Sequence, residues 1–297
     1  MSPITKPGVY RLDAEVYHAD PVQPASLSSG GARKLIADVP ARFWHERNNP
    51  SPPSNALVFG SAAHEWLLEG ERWPQRHHVL PESYDGRLKL WGGAKGEAAA
   101  AKDAGLRVIT AGQLATIKAM KEALQAHPLA VAAFTGGEAE LSLFWHDKAF
   151  GIWCRCRPDY LPSAGRIFAD YKTCESVRDD DLRRSIARYG YHIQAAWYED
   201  GITRLGIAQN PAMLFVFQEK APPYLVRCVT ISQEARIKAE AQIALARSVF
   251  ARCLATGEWP GYPDEIAEMD LPAWEHARLA RLDDAGAFDI TDMRSAA

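Results

Sequence analysis

The sequence predicts a mixed α/β fold: a central mixed sheet with helices on both faces, and helical segments near the N-terminus that wall a cleft. Three observations predict it. Strand-like alternation clusters between residues 140 and 172, near-continuous apolar strands return at 213–229, and helical spacing of apolar residues fills the intervals around them. A single domain over residues 1–297 is expected, with a helical part to about residue 135, a core over about 136–256 and a tail from about 257.

With 297 residues, 47% of them hydrophobic, the chain can bury a sizeable core. Nine Trp and ten each of Tyr and Phe supply broad apolar surfaces, yet no uninterrupted apolar run approaches membrane-spanning length. The opening MSPITKPGVYRLDAEVY lacks the charged-then-apolar profile of a secretion signal, so a cytoplasmic location is expected. Five cysteines (Cys154, Cys156, Cys174, Cys228 and Cys253) without CxxC pairing read as thiols rather than a disulfide framework or zinc ribbon. A net charge of −3 and a pI near 6.3 give no bulk attraction to nucleic acid. A local basic groove is nevertheless sufficient for an enzyme that must slide along or release a polyanion.

Residues 8–20 alternate loosely and are expected as an edge strand or extended arm before Pro21. Ser26-Leu27-Ser28 offers N-caps for a helix to about Ile36, stopped by Asp38-Val39-Pro40, and ARFWHER forms a second short helix. After a Pro/Ser-rich loop at 48–55, Leu57, Val58, Ala62, Trp66 and Leu67 recur at helical spacing and place His64 on a helix. Residues 71–93 read as a mobile loop or arch whose Arg87 and Lys89, with Lys95 beyond, either meet phosphates or form a solvated face. Glu97–Ala104 and Ala111–Ala126 are expected helices with Ala-rich packing faces.

Glu140–Trp145 and Ala149–Arg157 alternate about a hairpin at His146-Asp147-Lys148, and Arg166–Lys172 is expected as the third strand of the same meander. Asp179, Asp180 and Asp181 cap a helix carrying Arg183, Arg184 and Arg188, which are either phosphate contacts or a solvated face. The helix Tyr191–Leu205 sets Gln194 and Tyr198 one turn apart on one face. Strands at Met213–Gln218 and Tyr224–Val229, a long helix from Ser232 to about Ala255 and a helix at PAWEHARLARL complete the reading, with the polar C-terminal end expected to be disordered.

Chemistry concentrates in RCRPDYLPSAGRIFADYKT, residues 155–173. Pro158-Asp159 closes its first strand-like piece, Asp170-Tyr171-Lys172 closes its second, and a turn at Pro162-Ser163-Ala164-Gly165 joins them. Strand alternation puts Asp170 and Lys172 on one face, with Tyr171 on the other, so that both can share a pocket with Asp159. Asp159 and Asp170 offer hard oxygens suited to Mg²⁺ or Mn²⁺. Glu140 is either a further site carboxylate or a solvent-facing residue at a strand start. Upstream stands Gly60-x-x-x-His64, and downstream Gln194-x-x-x-Tyr198. His64 by itself reads as a hydrogen-bonded core histidine, and Gln194 and Tyr198 as polar ties between helix and sheet.

In this order, His, Pro-Asp, Asp-x-Lys and Gln-x-x-x-Tyr resemble the RecB-like branch of the PD-(D/E)XK nucleases, most closely the RecE (exonuclease VIII) exonucleases, over about Leu27 to Cys253. The resemblance implies a restriction-endonuclease-like core in which His64, Asp159, Asp170 and the Tyr171 backbone carbonyl hold Mg²⁺ or Mn²⁺. Lys172 then acts on the attacking water, while Gln194 and Tyr198 line the cleft and support the DNA backbone. It also implies digestion of linear duplex DNA from its ends, for recombination or repair, by a ring-shaped homo-oligomer of phage origin with a single-strand annealing partner. A RecB-type endonuclease or single-strand nuclease, and a catalytically weak DNA-binding scaffold, are the alternatives. Some relatives carry an iron–sulfur cluster on an early Cys and a late Cys trio; here the early segment reads Asp38-Val39-Pro40 and no late trio exists, so no cluster is expected.

Overall fold

The structure, a computed structural model, describes residues 3–51, 54–70, 72–80 and 93–287. It divides into two compact units, residues 1–261 and 262–297. The first begins with β1 (Gly8–Tyr10), α1 (Ala14–His18), β2 (Ser26–Ser28), α2 (Ser29–Ala37) and α3 (Pro40–Asn48). There follow α4 (Asn55–Leu68), the helical turn α5 (Trp73–Arg76), β3 (His77–Leu80), α6 (Gly93–Asp103), β4 (Arg107–Thr110), α7 (Ala111–Gln125) and α8 (Pro128–Ala133). Its remaining strands are β5 (Gly137–Ala139), β6 (Ser142–Asp147), β7 (Ile152–Cys156), β8 (Tyr160–Pro162), β9 (Ile167–Cys174), β10 (Ala212–Glu219) and β11 (Val226–Val229). Helices α9 (Asp179–Tyr189) and α10 (Tyr191–Arg204) sit between β9 and β10, and α11 (Gln233–Thr256) ends the unit's regular structure. The second unit contributes α12 (Ala273–Asp284).

Helix starts follow the local chemistry. Ser28, Ser54 and Ser232 each accept a hydrogen bond from a backbone N–H three residues on, and Thr110 with Gln113 forms a capping box, so donors left over in each first turn are satisfied. Gly190, at φ 66°, ends α9 and opens α10, a left-handed corner that a Cβ would strain and that Arg33 closes from outside.

Two sheets carry the core. One has the order β1-β6-β7-β2, the other β11-β10-β9-β8-β5, and β3 and β4 form a separate parallel pair. At the centre of the second sheet, β9 runs parallel to β10 with Asp170 opposite Phe215 and Lys172 opposite Phe217. Alternation then sorts the side chains. Phe168, Phe215 and Phe217 pack with α2, α10 and α11, whereas Tyr171 and Val216 face α4 and α7. In the first sheet, Leu143, Trp145, Cys154 and Cys156 join the α10 side, while Phe144 and Trp153 are covered by Ile4, Leu12, Tyr17 and Val22 of the N-terminal arm. Helices therefore flank the sheets as expected. No helix among the described residues is long and apolar enough to cross a membrane.

The expected three-strand meander is corrected. β6 and β7 form the hairpin, but β9 belongs to the other sheet and pairs with the three-residue β8 and with β10. Pro158 has no N–H and a fixed φ, so it cannot continue the β7 ladder, and Pro158-Asp159 form the passage between sheets instead of closing a strand. Part of the expected 71–93 loop is ordered as α5 and β3, with β3 in parallel register to β4. Arg87, Lys89, the Lys95 side chain and the C-terminal end from residue 288 lie outside the described residues.

Gly201 on α10 is a packing constraint: a Cβ there would come within 2.7 Å of the buried Trp145 ring. Gly201→Ala is expected to cost about 1–3 kcal/mol through overpacking, read as a lower urea midpoint at unchanged m-value.

Candidate active site

Two chain crossings between the sheets build the site. The first, between β5 and β6, carries Glu140 in the left-handed region at φ 60°; the second, between β7 and β8, carries Asp159. The Glu140 N–H donates to the Asp159 carbonyl at 3.1 Å, so the crossings are tied together and both carboxylates project from one junction. Above it, α4 brings His64, whose Nε2 lies 2.9 Å from Asp159 Oδ2 and 3.3 Å from Glu140 Oε1. The other oxygen of Glu140 is held from behind by Arg157, which also donates to the Leu12 carbonyl (2.8 Å) and to Ser142 Oγ (3.1 Å). For Asp159 the oxygen that faces His64, Oδ2, also accepts from the Tyr171 N–H at 2.7 Å.

Beside this trio, β9 supplies Asp170 and Lys172, which form an ion pair on one face of the strand. Gln194 of α10 donates to Asp170 Oδ1 at 2.6 Å, and the Lys172 ammonium stands 5.5 Å from the centre of the Tyr191 ring. Tyr171 points the other way, where its hydroxyl donates to Gln218 Oε1 at 2.6 Å and Gln218 in turn donates to the Met120 carbonyl at 2.7 Å. That chain pins β9 to α7. The resulting cleft has a volume of about 390 Å³ and is lined by His64, Glu140, Asp159, Lys172 and Tyr191, among others.

The electrostatics follow from burial and crowding. Burial disfavours a charged His64, yet Asp159 and Glu140 outweigh it and raise the imidazole to about 9. Burial pushes Asp170 up, and the Asp159 charge adds to it, to about 7 despite Lys172. Glu140 is likewise raised by burial and by Asp159, whereas for Asp159 the attraction of His64 and Lys172 overcomes burial and lowers it. Lys172 is raised, because Asp170 and Asp159 more than offset its desolvation, so it carries its proton at neutral pH.

The site fits a hard or borderline divalent cation. One nitrogen of His64 and an oxygen each of Glu140 and Asp159 lie within 4.8 Å of one another. His64 Nε2 is buried and faces two carboxylates, at 2.9 Å from Asp159 and 3.3 Å from Glu140, so a ligand nitrogen and two ligand oxygens converge on one point. An imidazolium supplies the positive charge that this point demands.

Of the residues singled out in the sequence, the structure brings together His64, Glu140, Asp159, Asp170, Lys172 and Gln194. The Tyr171 amide donates to Asp159 Oδ2, and Tyr171 is part of the cleft lining. Others fall elsewhere. Tyr198 is buried and donates to the Arg157 carbonyl at 3.2 Å, which ties α10 to the junction and keeps the hydroxyl out of the cleft. Arg183 and Arg184 pair with Asp180 and Asp181 one turn back on α9, and Arg188 packs on Tyr189; none lines the cleft. A Cβ at Gly60 would meet only Thr173 Oγ1 at 3.4 Å, so close packing does not require that glycine. Arg157, Arg76, Arg107 and Glu65 were missed, since their partners lie far away in sequence; adjacency of Arg157 to Pro158 is the one local hint.

A family model described as "PDDEXK-like domain of unknown function (DUF3799)" matches residues 31–272. The chain belongs to this family. It is therefore a PD-(D/E)XK-like domain. The crystal structure of a "Putative exonuclease" from Eubacterium rectale aligns with 90% of this chain and 98% of its own, at 12% identity and a TM-score of 0.59, which shows a common fold. A phage related exonuclease from Haemophilus somnus aligns with 78% of this chain and 96% of its own at 9% identity, but its TM-score of 0.33 carries no argument. No curated protein sequence matches.

Cation binding at this PDDEXK-like site must displace the His64 proton, because only neutral imidazole is a ligand. With His64 titrating at about 9, Mn²⁺ affinity is expected to rise with pH up to that value. Titration calorimetry at pH 7 in two buffers of different ionisation enthalpy is expected to reveal about one proton released from His64 per Mn²⁺, and a release smaller by that amount in His64→Ala.

Proposed function

We propose that the chain is a divalent-metal-dependent DNA exonuclease that hydrolyses phosphodiester bonds from the ends of linear duplex DNA. The observation that carries this reading is the convergence of His64, Glu140 and Asp159 at the sheet junction, with the Asp170–Lys172 pair beside them. Family membership supports nuclease chemistry, and the RecE likeness of the motif order, together with the Eubacterium rectale neighbour's description, favours ends over internal sites.

His64, Glu140 and Asp159 would hold Mg²⁺ or Mn²⁺, with Asp170 beside them on β9, paired to Lys172. When bound, the ion would supply Lewis-acid relief of phosphoryl charge and a more acidic water. The chain's own residues do the rest. Lys172 keeps its proton, so it serves as a donor that orients the attacking water and stabilises negative charge developing on phosphorus, rather than as a base. Gln194 fixes the Asp170 carboxylate through Oδ1 and leaves Oδ2 toward Lys172. Arg157 holds the back of Glu140, and the Tyr171 amide holds Asp159 through Oδ2, so both carboxylates are oriented before substrate arrives.

End-labelled linear duplex, circular duplex and single-stranded DNA, each with Mg²⁺, Mn²⁺ or chelator, test the reading. Linear duplex is expected to be lost from its ends only with a divalent ion, and Lys172→Ala to reduce the rate by roughly a hundredfold or more while leaving the protein folded. Cutting of circles would identify an endonuclease instead. No product with any ion, from folded protein, would leave a DNA-binding scaffold.

Glu140→Gln keeps shape and removes charge. The variant is expected to need a higher Mn²⁺ concentration for half-maximal activity, with the saturated rate less affected, as read from metal titrations of the initial rate.

A further inference from the structure

We propose that Arg76 and Arg107 form a phosphate-binding site in the same cleft, holding a backbone phosphodiester of the DNA strand next to the one that is cut. The inference deepens the nuclease reading and rests on it for the identity of the ligand.

The arrangement begins on α4. One turn of that helix carries His64 into the junction, and Glu65 and Glu69, four residues apart, present a second face. Each holds one arginine. Glu65 pairs with Arg107 Nη1, and Glu69 lies 3.4 and 3.3 Å from Arg76 Nη1 through its two oxygens. Both arginines come from one end of the small parallel sheet, since His77 is in register with Arg107 and Arg76 immediately precedes it. His77 closes that end from inside: its ring stacks on Trp73 at 4.3 Å, and its Nε2 lies 3.8 Å from Glu65 Oε2.

Burial separates the two partners of each pair. The Glu65 and Glu69 side chains are 9% and 14% exposed, while those of Arg107 and Arg76 are 38% and 28% exposed. The carboxylates are thus on the protein side, and the guanidiniums line the cleft that also contains His64, Asp159 and Lys172. A guanidinium has five N–H donors in a planar fork, so a carboxylate on one edge fixes its plane and leaves the other edge for a second oxyanion. At Arg76 that second position faces Asp13, whose Oδ1 lies 3.6 Å from Nη2 on a largely exposed side chain that a phosphate would displace. Buried ion pairs add little to stability over apolar packing, which makes orientation the better account of two such pairs side by side. Past Arg76 and Glu69 the surface continues into a second groove of about 650 Å³, lined by Arg72, by Arg11 paired with Glu138, and by Asp13.

The test measures binding of a fluorescently labelled blunt duplex oligonucleotide in chelator across a range of salt, together with steady-state rates in Mn²⁺. To keep the fold from losing a buried charge partner, each arginine is changed with its acid: Glu65→Gln with Arg107→Gln, and separately Glu69→Gln with Arg76→Gln. Each folded double variant is expected to bind about tenfold more weakly, with a salt slope shallower by about one phosphate contact. KM is expected to rise and kcat to change little. If the arginines serve only to neutralise the glutamates, both double variants will keep wild-type Kd, slope and KM, and the site is overturned. Absence of binding by the wild-type protein in chelator overturns it as well. If arginine-dependent binding is seen but no ion yields product, the nuclease reading falls and the phosphate site stands.

Discussion

The hydrogen bond from the Glu140 N–H to the Asp159 carbonyl joins the two places where the chain passes from one sheet to the other, and the candidate site depends on it. Neither passage is regular strand. Glu140 occupies a left-handed conformation that non-glycine residues seldom adopt, and Pro158 interrupts the ladder of β7. Irregular backbone is what frees these two carboxylates from strand alternation and lets them aim at one point. A strained position of this kind persists only where its surroundings over-determine it, and Arg157, bonded to Glu140, Ser142 and Leu12, supplies that constraint.

The second requirement is electrostatic. Five acidic or basic groups are crowded at low exposure near the junction, and the Asp159 charge raises the cost of ionising Glu140 and Asp170. The protein meets this with positive charge from two directions: His64 against Glu140 and Asp159, and Lys172 against Asp170. Both cations are held more strongly than in water, which marks the point as one that demands positive charge. A divalent ion answers the same demand as the imidazolium does, with the imidazole then free to act as a ligand.

The rest of the first unit can be understood as support for this point. β9 lies between two cores, and its alternation gives each core a side chain, Phe168 to one and Tyr171 to the other, while Asp170 and Lys172 stand at the end that opens into the cleft. The bonds from Tyr171 through Gln218 to α7 stop the strand from sliding, so the positions of Asp170 and Lys172 are set from the face opposite the chemistry. α10 contributes twice, with Gln194 on Asp170 and Tyr198 on the carbonyl of Arg157. Tyr198 is one of the residues a motif brings to notice for its place in a pattern, although what it does here is hold the frame.

Local chemistry in the sequence was enough for the mixed α/β class, for helix starts at Ser28 and Ser232, and for setting Asp170 and Lys172 on one face, because capping and strand alternation act over a few residues. The order of His64, Pro158-Asp159, Asp170-x-Lys172 and Gln194 was also legible, since a motif is a one-dimensional object. Tertiary structure decided the remainder. It assigned β7 and β9 to different sheets, turned Glu140 from a strand residue into a junction carboxylate, buried Tyr198, and brought Arg76 and Arg107 to the cleft through acids that lie 7 and 42 residues away along the chain. Such placements depend on which distant segments pack together, and side-chain periodicity within one segment carries no information about its partner.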